Sequence, residues 1–263
     1  MLSFIVTVSI DNVERAVNVI KCVEYYNNKN FSIPTEFIVV ENTNQINSRL
    51  TQYGDKYLFL RSAGPFRKTN AYNLGARVAN GDVFCFLDAD IFVNRQSLEL
   101  LYNQAKNTDG LYLGYNGVAI YTTEAGKSLF IDNVNNWDNI CSYIDFNNIR
   151  TNYSTSNYLV GNTNAVGGCL LMNKTTFNNI KGFNPNFKGW GYEDNEIISR
   201  AKILKTPIYK LNEQRDILVH LWHDVANADK SKHADYNNNE TEVRKIESMS
   251  KQQLEDYIKL WNV

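Results

Sequence analysis

Apolar residues recur with two different spacings along the first third of the chain. Continuous apolar runs predict four strands, over residues 4–10, 36–40, 57–60 and 83–87. Between these runs, apolar residues three or four positions apart predict helices over 12–26 and 69–78. Asn80-Gly81 is a helix stop signal after the second of these helices. Strands that alternate with helices are typical of a parallel sheet with crossover helices, so the sequence predicts an α/β fold.

The rest of the chain has a less regular pattern. Residues 107–165 are rich in Asn, Tyr, Gly and Thr, and they predict short strands and loops. Beyond them the pattern predicts two strands and two helices: strands over 166–172 and 217–222, helices over 174–180 and 193–204. An Asn-rich turn at 237–239 is predicted to precede an amphipathic helix over 241–261. We expect that helix to pack on the core, although a partner or a membrane surface would also suit its apolar face.

Composition narrows the class of protein. Of the 263 residues, 43% are hydrophobic and 21% are charged, with a formal net charge of -1. This balance is typical of an ordinary globular protein and argues against a nucleic-acid partner. No apolar run approaches the roughly 18 residues that cross a bilayer, and the N-terminus predicts a strand rather than a signal peptide. The four cysteines show neither a CxxC pair nor zinc spacing, so we expect reduced thiols in a cytoplasmic protein.

Two carboxylates follow the most apolar of the predicted strands. Asp88 and Asp90 are one residue apart, at the point where an open α/β sheet binds its ligands. Because close carboxylates repel each other unless a cation or a proton intervenes, this pair indicates a divalent metal that carries phosphate oxygens. The structural alternative is that one carboxylate caps the next helix while the other is solvated.

Two further segments are compatible with binding a nucleotide. Glu41 ends the second predicted strand, where its carboxylate could accept hydrogen bonds from a nucleobase, but a turn or capping role suits it equally well. Arg67 precedes a predicted helix, where backbone amides favour the negative charge of a diphosphate. A solvated helix start is the alternative for this segment.

The segment GWGYEDNE places aromatic residues between glycines and just before three acids at a predicted helix start. Glycine lets the backbone approach another group closely. Trp190 offers a face for the C–H groups of a sugar, and Glu193 and Asp194 can accept hydrogen bonds from its hydroxyls. One carboxylate would be enough to cap the helix, so the pattern favours a sugar-binding role over a structural one.

Two of the three histidines in the chain, His220 and His223, lie close together in sequence. Imidazole nitrogen could complete a metal site that carboxylate alone leaves open. A single histidine is more often a satisfied core or surface group, but two at this spacing downstream of Asp-x-Asp favour metal binding.

Taken together, these motifs resemble a known family. The run FRKTNAYNLGARVANGDVFCFLDADIF is similar to the nucleotide-sugar domain of GT-A glycosyltransferases of the family 2 type. GWGYEDNEI followed by HLWHD resembles the C-terminal half of the β-1,4-galactosyltransferase group, a half shared with bacterial chondroitin-polymerase-like enzymes. The resemblance implies a Rossmann-like, mostly parallel sheet with flanking helices and an appended acceptor region. It divides one domain into a nucleotide-sugar half (1–106), an acceptor half (107–236) and a C-terminal helix (237–263).

The resemblance also implies roles for individual residues. The expected metal is Mn²⁺ or Mg²⁺, with Asp90, His220 and His223 as its ligands; in the galactosyltransferases a methionine occupies the position of His220. Asp194 would be the catalytic base. The acceptor site would comprise Trp190, Gly191, Tyr192 and Glu193. The donor site would comprise Ser9, Glu41, Arg67, Asn73, Asp88 and Ala89. Where the family commonly has an Asp-Asp pair that holds uracil, this chain has Glu41-Asn42.

The expected function is inverting transfer of a hexose or N-acetylhexosamine from a nucleotide-diphosphate sugar to a hydroxyl of a glycan acceptor. UDP-Gal, UDP-GalNAc and UDP-GlcNAc are all compatible with the sequence, as is a GDP-sugar. A metal-dependent phosphatase also uses Asp-x-Asp after an apolar strand, but that class usually has Thr or Val where Phe92 stands here. A non-catalytic carbohydrate-binding protein on the same scaffold is the other alternative, and the retained acids and histidines disfavour it.

Overall fold

The structure is a computed structural model that describes residues 1–10, 13–47, 49–142, 144, 155–162, 164–223 and 235–263. Its strands are β1 Leu2–Val8, β2 Thr35–Glu41, β3 Lys56–Phe59, β4 Val83–Asp88, β5 Ile91–Val93, β6 Leu111–Leu113, β7 Ala119–Thr122, β8 Tyr158–Asn162, β9 Cys169–Asn173, β10 Ile208–Lys210 and β11 Leu218–His220. Its helices are α1 Val13–Tyr25, α2 Lys68–Val78, α3 Arg95–Ala105, α4 Glu124–Asn133, α5 Trp137–Ser142, α6 Lys174–Asn179, α7 Glu193–Leu204, α8 Tyr236–Glu247 and α9 Lys251–Ile258, with a short 3₁₀ helix at Asn28–Asn30.

A seven-stranded sheet in the order β10-β6-β9-β4-β1-β2-β3 forms the centre of the molecule. Its strands pair in parallel except for β9, which runs antiparallel to β4 and β6. Strands β1, β2 and β4 are buried almost throughout, as their continuous apolar runs predict for strands covered on both faces. The predicted mostly parallel α/β sheet is confirmed. Its register aligns the carboxyl ends of these strands, with Thr7 opposite Asp88 and Val8 opposite Glu41.

A second sheet of four strands, in the order β5-β11-β7-β8, lies beside that carboxyl edge. Strand β5 begins immediately after Asp90 and pairs antiparallel with β11, so that Ile91 lies opposite His220. The Leu221 amide donates a hydrogen bond to the Asp90 carbonyl at 2.8 Å. This pairing brings the end of β11 next to the turn that carries Asp90.

The described part of residues 107–165 contains helices α4 and α5 as well as short strands, so the prediction of strands and loops alone was incomplete. Helix α4 is capped by Thr123, whose hydroxyl accepts a hydrogen bond from the Gly126 amide at 3.0 Å. Glycine and asparagine within these helices lower helix propensity and hide their apolar spacing. Tertiary packing stabilises them instead, because Phe130 of α4 and Ile140 of α5 are fully buried.

The C-terminal segment forms two helices, so the prediction of a single helix was wrong. Ser250 ends the break between them and forms a capping box with Gln253 at the start of α9. The predicted Asn-rich turn was also wrong, because residues 237–239 lie within α8. The expected packing on the core is confirmed. Apolar side chains of the C-terminal segment pack against Ile203 and Leu204 of α7; they are Ile246, Leu254, Ile258 and Trp261.

All four cysteines are free thiols, as expected. Among the residues that the structure describes, no helix combines the length and apolarity needed to cross a bilayer.

Candidate active site

The two acids of the Asp-x-Asp segment belong to two different clusters of side chains. Asp88 is the last residue of β4, and Asp90 lies in the turn between β4 and β5. Asp90 contacts two imidazoles, whereas Asp88 contacts a lysine and a tyrosine. We call the first group the imidazole cluster (Asp90, His220, His223) and the second the lysine cluster (Lys68, Tyr72, Asp88, Glu193, Asp194).

The imidazole cluster brings together the three residues predicted to bind metal. The Nε2 atom of His223 lies 3.2 Å from Asp90 Oδ2, and that of His220 lies 3.6 Å from Asp90 Oδ1. One candidate ligand atom from each residue lies within 4.8 Å of the other two. More than a hundred residues of sequence separate Asp90 from the two histidines, and the pairing of β5 with β11 brings them together.

The environment of Asp90 keeps its carboxylate ionised. Burial alone would raise the pKa of Asp90, but the charges of His220, His223 and Arg15 and a hydrogen bond from His223 lower it below its usual value. Nδ1 of His220 is buried and makes no hydrogen bond to any described residue. A carboxylate oxygen and two imidazole nitrogens form a donor set that a divalent metal such as Mn²⁺ accepts, so the residues present fit a metal ion.

The lysine cluster surrounds one ammonium group with three carboxylates. Lys68 Nζ lies 2.9 Å from Asp88 Oδ1, 3.1 Å from Glu193 Oε1 and 3.7 Å from Asp194 Oδ2. The Tyr72 hydroxyl donates a 2.7 Å hydrogen bond to the same carboxylate oxygen, Asp88 Oδ1. Glu193 and Asp194 open α7, and Lys68 opens α2, so the cluster joins two helix starts to the end of β4.

Asp194 has an unusual acidity in this cluster. Burial raises the pKa of Asp194, and the negative charges of Glu193 and Asp88 raise it further, whereas the nearby Lys68 ammonium lowers it; the resulting pKa is about 7. Gly167 packs directly against this carboxylate, since a Cβ there would overlap it. A carboxylate with such a pKa can exchange a proton near neutral pH.

The predicted acceptor segment forms an exposed aromatic surface beside α7. Trp190 is 43% exposed and packs nearly parallel to Tyr236, with ring centroids 6.0 Å apart and planes 9° apart. Gly191 has φ 108° and Tyr192 has φ 69°. Such positive φ values are energetically unfavourable for a residue that carries a side chain. A Cβ at Gly191 would lie 3.0 Å from the Tyr236 ring, so glycine leaves room for that ring.

Asn239 of α8 anchors this segment, a role that no sequence pattern indicates. Its buried side-chain amide donates to the carbonyl of Lys188 at 2.8 Å and to that of Gly191 at 3.0 Å. Because these carbonyls flank Trp190, the first turn of α8 holds the aromatic surface in place. The segment 237–239, predicted as a turn, is therefore helical and contains a residue that supports the candidate site.

Two predicted donor residues have side chains that are already engaged elsewhere. The buried Glu41 carboxylate accepts hydrogen bonds from the Tyr57 hydroxyl and, at 3.0 Å, from the Asn47 amide. The amide group of Asn73 exchanges two 2.8 Å hydrogen bonds with the backbone of Phe183. These contacts assign both side chains a structural role, and for Asn73 they occupy both ends of the amide.

The other predicted donor residues lie along the carboxyl edge of the sheet. Ser9 follows β1, Ala89 lies between the two acids, and Arg67 directly precedes α2. The Arg67 amide donates a 2.6 Å hydrogen bond to Asn42 Oδ1, which ties the start of α2 to the end of β2. Lys68, rather than its neighbour Arg67, contacts the predicted acids. The i,i+4 spacing of Lys68 and Tyr72 on one helix face was the available signal.

Family comparisons agree with this architecture. The family model described as glycosyl transferase family 2 matches residues 19–179, and the model described as the N-terminal domain of galactosyltransferase matches residues 147–224. No curated protein matches the chain.

Three solved structures share the fold at low sequence identity. A mutant of Drosophila β1,4-galactosyltransferase 7 in complex with manganese, UDP-Gal and xylobiose is 14% identical, with a TM-score of 0.53 over 91% of this chain and 78% of its own. The catalytic domain of the same Drosophila enzyme with xylobiose is 14% identical, with a TM-score of 0.55 over 95% of this chain and 82% of its own. GalNAc-T7 with UDP, GalNAc and Mn²⁺ is 12% identical, with a TM-score of 0.58 over 93% of this chain and 47% of its own.

The match to glycosyl transferase family 2 covers more than half of the chain, and the sheet topology is that of the GT-A fold. The chain therefore belongs to glycosyl transferase family 2 and is a glycosyltransferase of the GT-A fold.

Proposed function

We propose that this enzyme is metal-dependent and inverting, and that it transfers a hexose or N-acetylhexosamine from a UDP-sugar to a hydroxyl of a glycan acceptor. The observation that carries the proposal is the division of Asp-x-Asp between a metal-ligand set and a cluster that contains an acid with a pKa of about 7. The diphosphate of the sugar donor and the proton acceptor would thereby lie on the two sides of the turn that separates Asp88 from Asp90.

Asp90, His220 and His223 would hold a divalent cation, most simply Mn²⁺. When bound, such an ion would offset the negative charge that develops on the departing diphosphate, so that no acid is needed at the leaving group. Solved relatives of the same fold contain manganese together with UDP or UDP-Gal, which supports this choice of metal and donor.

Asp194 would act as the catalytic base. In a single displacement, the acceptor oxygen forms a bond to the anomeric carbon while the bond from that carbon to the diphosphate breaks. The acceptor hydroxyl proton passes to the Asp194 carboxylate, and the anomeric configuration inverts because attack and departure occur on opposite faces. A pKa near the operating pH suits a general base, because the group is then largely ionised yet still accepts a proton.

The acceptor would lie between Trp190 and the acids at the start of α7. The exposed Trp190 face can stack on the C–H face of a sugar ring. Glu193 would accept a hydrogen bond from another acceptor hydroxyl and so orient the attacking one. Gly191 and Tyr192 would supply backbone contacts in this segment. Because Asn239 of α8 anchors the same backbone, the C-terminal helices belong to the same functional domain as residues 1–236.

The donor would lie along the carboxyl ends of β1, β2 and β4. Asp88 would contact the ribose, with Ser9 and Ala89 beside it and Arg67 near the phosphates. Because the Glu41 carboxylate is engaged by Tyr57 of β3 and by the backbone amide of Asn47, recognition of the base would shift toward neighbouring backbone groups. We leave Asn73 out of the proposed donor site because its amide is occupied by Phe183.

The test is to incubate the purified protein with Mn²⁺ and labelled UDP-Gal, UDP-GalNAc or UDP-GlcNAc, with a panel of glycan acceptors. We expect release of UDP from one of these donors, loss of that release with EDTA, and a product with the opposite anomeric configuration by NMR. A product that retains the donor configuration, or full activity in EDTA, would refute the inverting or the metal-dependent part of the proposal respectively. A thermal-shift screen of the same donors identifies the sugar independently of the acceptor, because a ligand that binds the native state raises the melting temperature.

A further inference from the structure

We infer that Lys68 is a positioning residue that keeps the Asp194 carboxylate ionised and holds it against the donor half of the site. The inference rests on the proposed role of Asp194 as the base. The family resemblance implies no role for this lysine.

The contacts of Lys68 cross between the two halves of the molecule. The lysine is the first residue of α2, which packs on the nucleotide half of the sheet, and its side chain is only 12% exposed. Its ammonium contacts Asp88 at the end of β4 at 2.9 Å and two acids of α7, Glu193 at 3.1 Å and Asp194 at 3.7 Å. One cation thus links the carboxylate proposed for the ribose to the pair proposed for the acceptor.

Asp194 depends on this cation for its charge. Glu193 from its own helix and Asp88 from β4 face Asp194 with negative charge, and the hydroxyls of Tyr72 from α2 and of Tyr115, which follows β6, lie in the same surroundings. Lys68 is the one cation among these groups. Burial disfavours a charged ammonium, but the three carboxylates outweigh burial and raise the pKa of Lys68, so it stays charged.

The number of carboxylates argues against a purely structural ion pair. A single carboxylate is sufficient to neutralise a buried ammonium. Three carboxylates around Lys68 leave an excess of negative charge, which raises the affinity of Asp194 for a proton, while Lys68 limits that rise. The arrangement therefore sets the acidity of Asp194 between that of a free carboxylate and that of an unpaired buried one. The three donors of an ammonium also match three separate acceptors better than a planar guanidinium does.

The direct test is a ¹³C NMR titration of the Asp194 carboxyl group in the metal-free protein, with its signal identified by its loss in Asp194→Asn. In Lys68→Met we expect the midpoint to move up by at least about one pH unit, because the remaining neighbours all disfavour ionisation. Lys68→Arg should stay closer to the wild type, since it keeps the charge. The matched control is Lys202→Met, which removes an exposed lysine from the same helix as Asp194 and should not move the midpoint. An unchanged midpoint in Lys68→Met would overturn the inference.

A second variant keeps the test decisive if Lys68→Met does not fold. Glu193→Gln removes one negative neighbour of Asp194 and one competitor for the ammonium, so the Asp194 midpoint should fall. A midpoint that stays or rises would contradict the electrostatic linkage.

The pH dependence of kcat/KM for transfer separates this inference from the proposed function. We expect the acid limb to move to higher pH in Lys68→Met by the same amount as the NMR midpoint, with partial recovery in Lys68→Arg. If the NMR midpoint moves but the protein transfers no sugar, the proposed function fails and the electrostatic role of Lys68 stands. If transfer proceeds and neither midpoint nor acid limb moves, the role of Lys68 fails and the proposed function stands.

Discussion

The imidazole cluster and the lysine cluster start from acids two positions apart and reach opposite electrostatic states. Asp90 is surrounded by imidazoles that hold its pKa down, and these same imidazoles can bind a metal ion together with it. Asp194 shares a resident ammonium with two other acids and keeps a pKa of about 7. The partners of each carboxylate, rather than its residue type, decide whether it suits a cation or a proton.

The largest expected effect is that of Asp194→Asn in the lysine cluster. Loss of a general base should lower kcat by about 10²–10⁴-fold. Donor and Mn²⁺ binding, measured by calorimetry with UDP, should remain within about threefold of the wild type because the imidazole cluster is intact. Substantial residual transfer at neutral pH would assign the base to another group.

Next in size is Asp90→Asn in the imidazole cluster, which keeps the shape of the side chain but removes its charge. We expect Mn²⁺-dependent UDP binding to weaken by at least about tenfold, as for other losses around a metal site. The Asp194 titration should be nearly unchanged in this variant. A shift of both properties together would show that the two clusters are not separable.

The pH profile should sharpen the contrast, because the pKa of Asp194 in the lysine cluster is about 7, whereas the pKa of Asp90 in the imidazole cluster is held below its usual value. Asp194 accepts a proton when ionised, so kcat/KM should fall as pH drops below about 7, approaching tenfold per unit. The stability of the fold should have the opposite pH dependence. Because the pKa of Asp194 is higher in the folded than in the unfolded state, its protonated carboxyl group contributes stability that is complete below the unfolded-state pKa and is lost as pH rises through about 7. Asp194→Asn should therefore unfold at a higher temperature than the wild type at pH 8. Thermal denaturation at pH 5 and pH 8 checks this.

The smallest effect is expected for Trp190→Ala, outside both clusters. Loss of one stacking face should raise the KM for the acceptor by about 2–10-fold with little change in kcat, given typical aromatic contact energies. Trp190→Phe is the matched control and should retain most of the affinity. Kinetics with varied acceptor concentration measure both, and a fall in kcat alone would place Trp190 at the reacting groups instead.

The sequence predicted the elements whose apolar pattern is continuous and missed those stabilised by tertiary contacts. Strand β4 and helix α7 were predicted closely, because burial on both faces and an acidic helix start leave clear patterns. Helix α4 was missed because glycine and asparagine weaken its periodicity. Likewise, the Asn-rich segment was predicted as a turn because asparagine favours turns, although Asn239 makes its contacts inside a helix.

The site residues that belong to sequence motifs were predictable, whereas those that only the fold brings into contact were not. Asp90, His220 and His223 were predicted from residue type and family resemblance, and the structure brings them together. For Lys68 the one signal was its i,i+4 spacing to Tyr72, which does not indicate contacts with acids on other elements and does not explain why Lys68 rather than Arg67 makes them. Gly167 approaches Asp194 only because of the fold, so that no spacing rule could identify it. Glu41 and Asn73 have the expected residue types, but contacts with their own surroundings engage them.

Electron spin echo spectroscopy of the protein with one equivalent of Mn²⁺ and UDP tests the division of the two acids most directly. We predict modulation from the nitrogen atoms of two imidazoles, reduced to one in His223→Ala, lost with the bound ion in Asp90→Asn, and unchanged in Asp194→Asn. Mn²⁺ that binds without imidazole nitrogen, or that is lost equally in Asp194→Asn, would contradict the account.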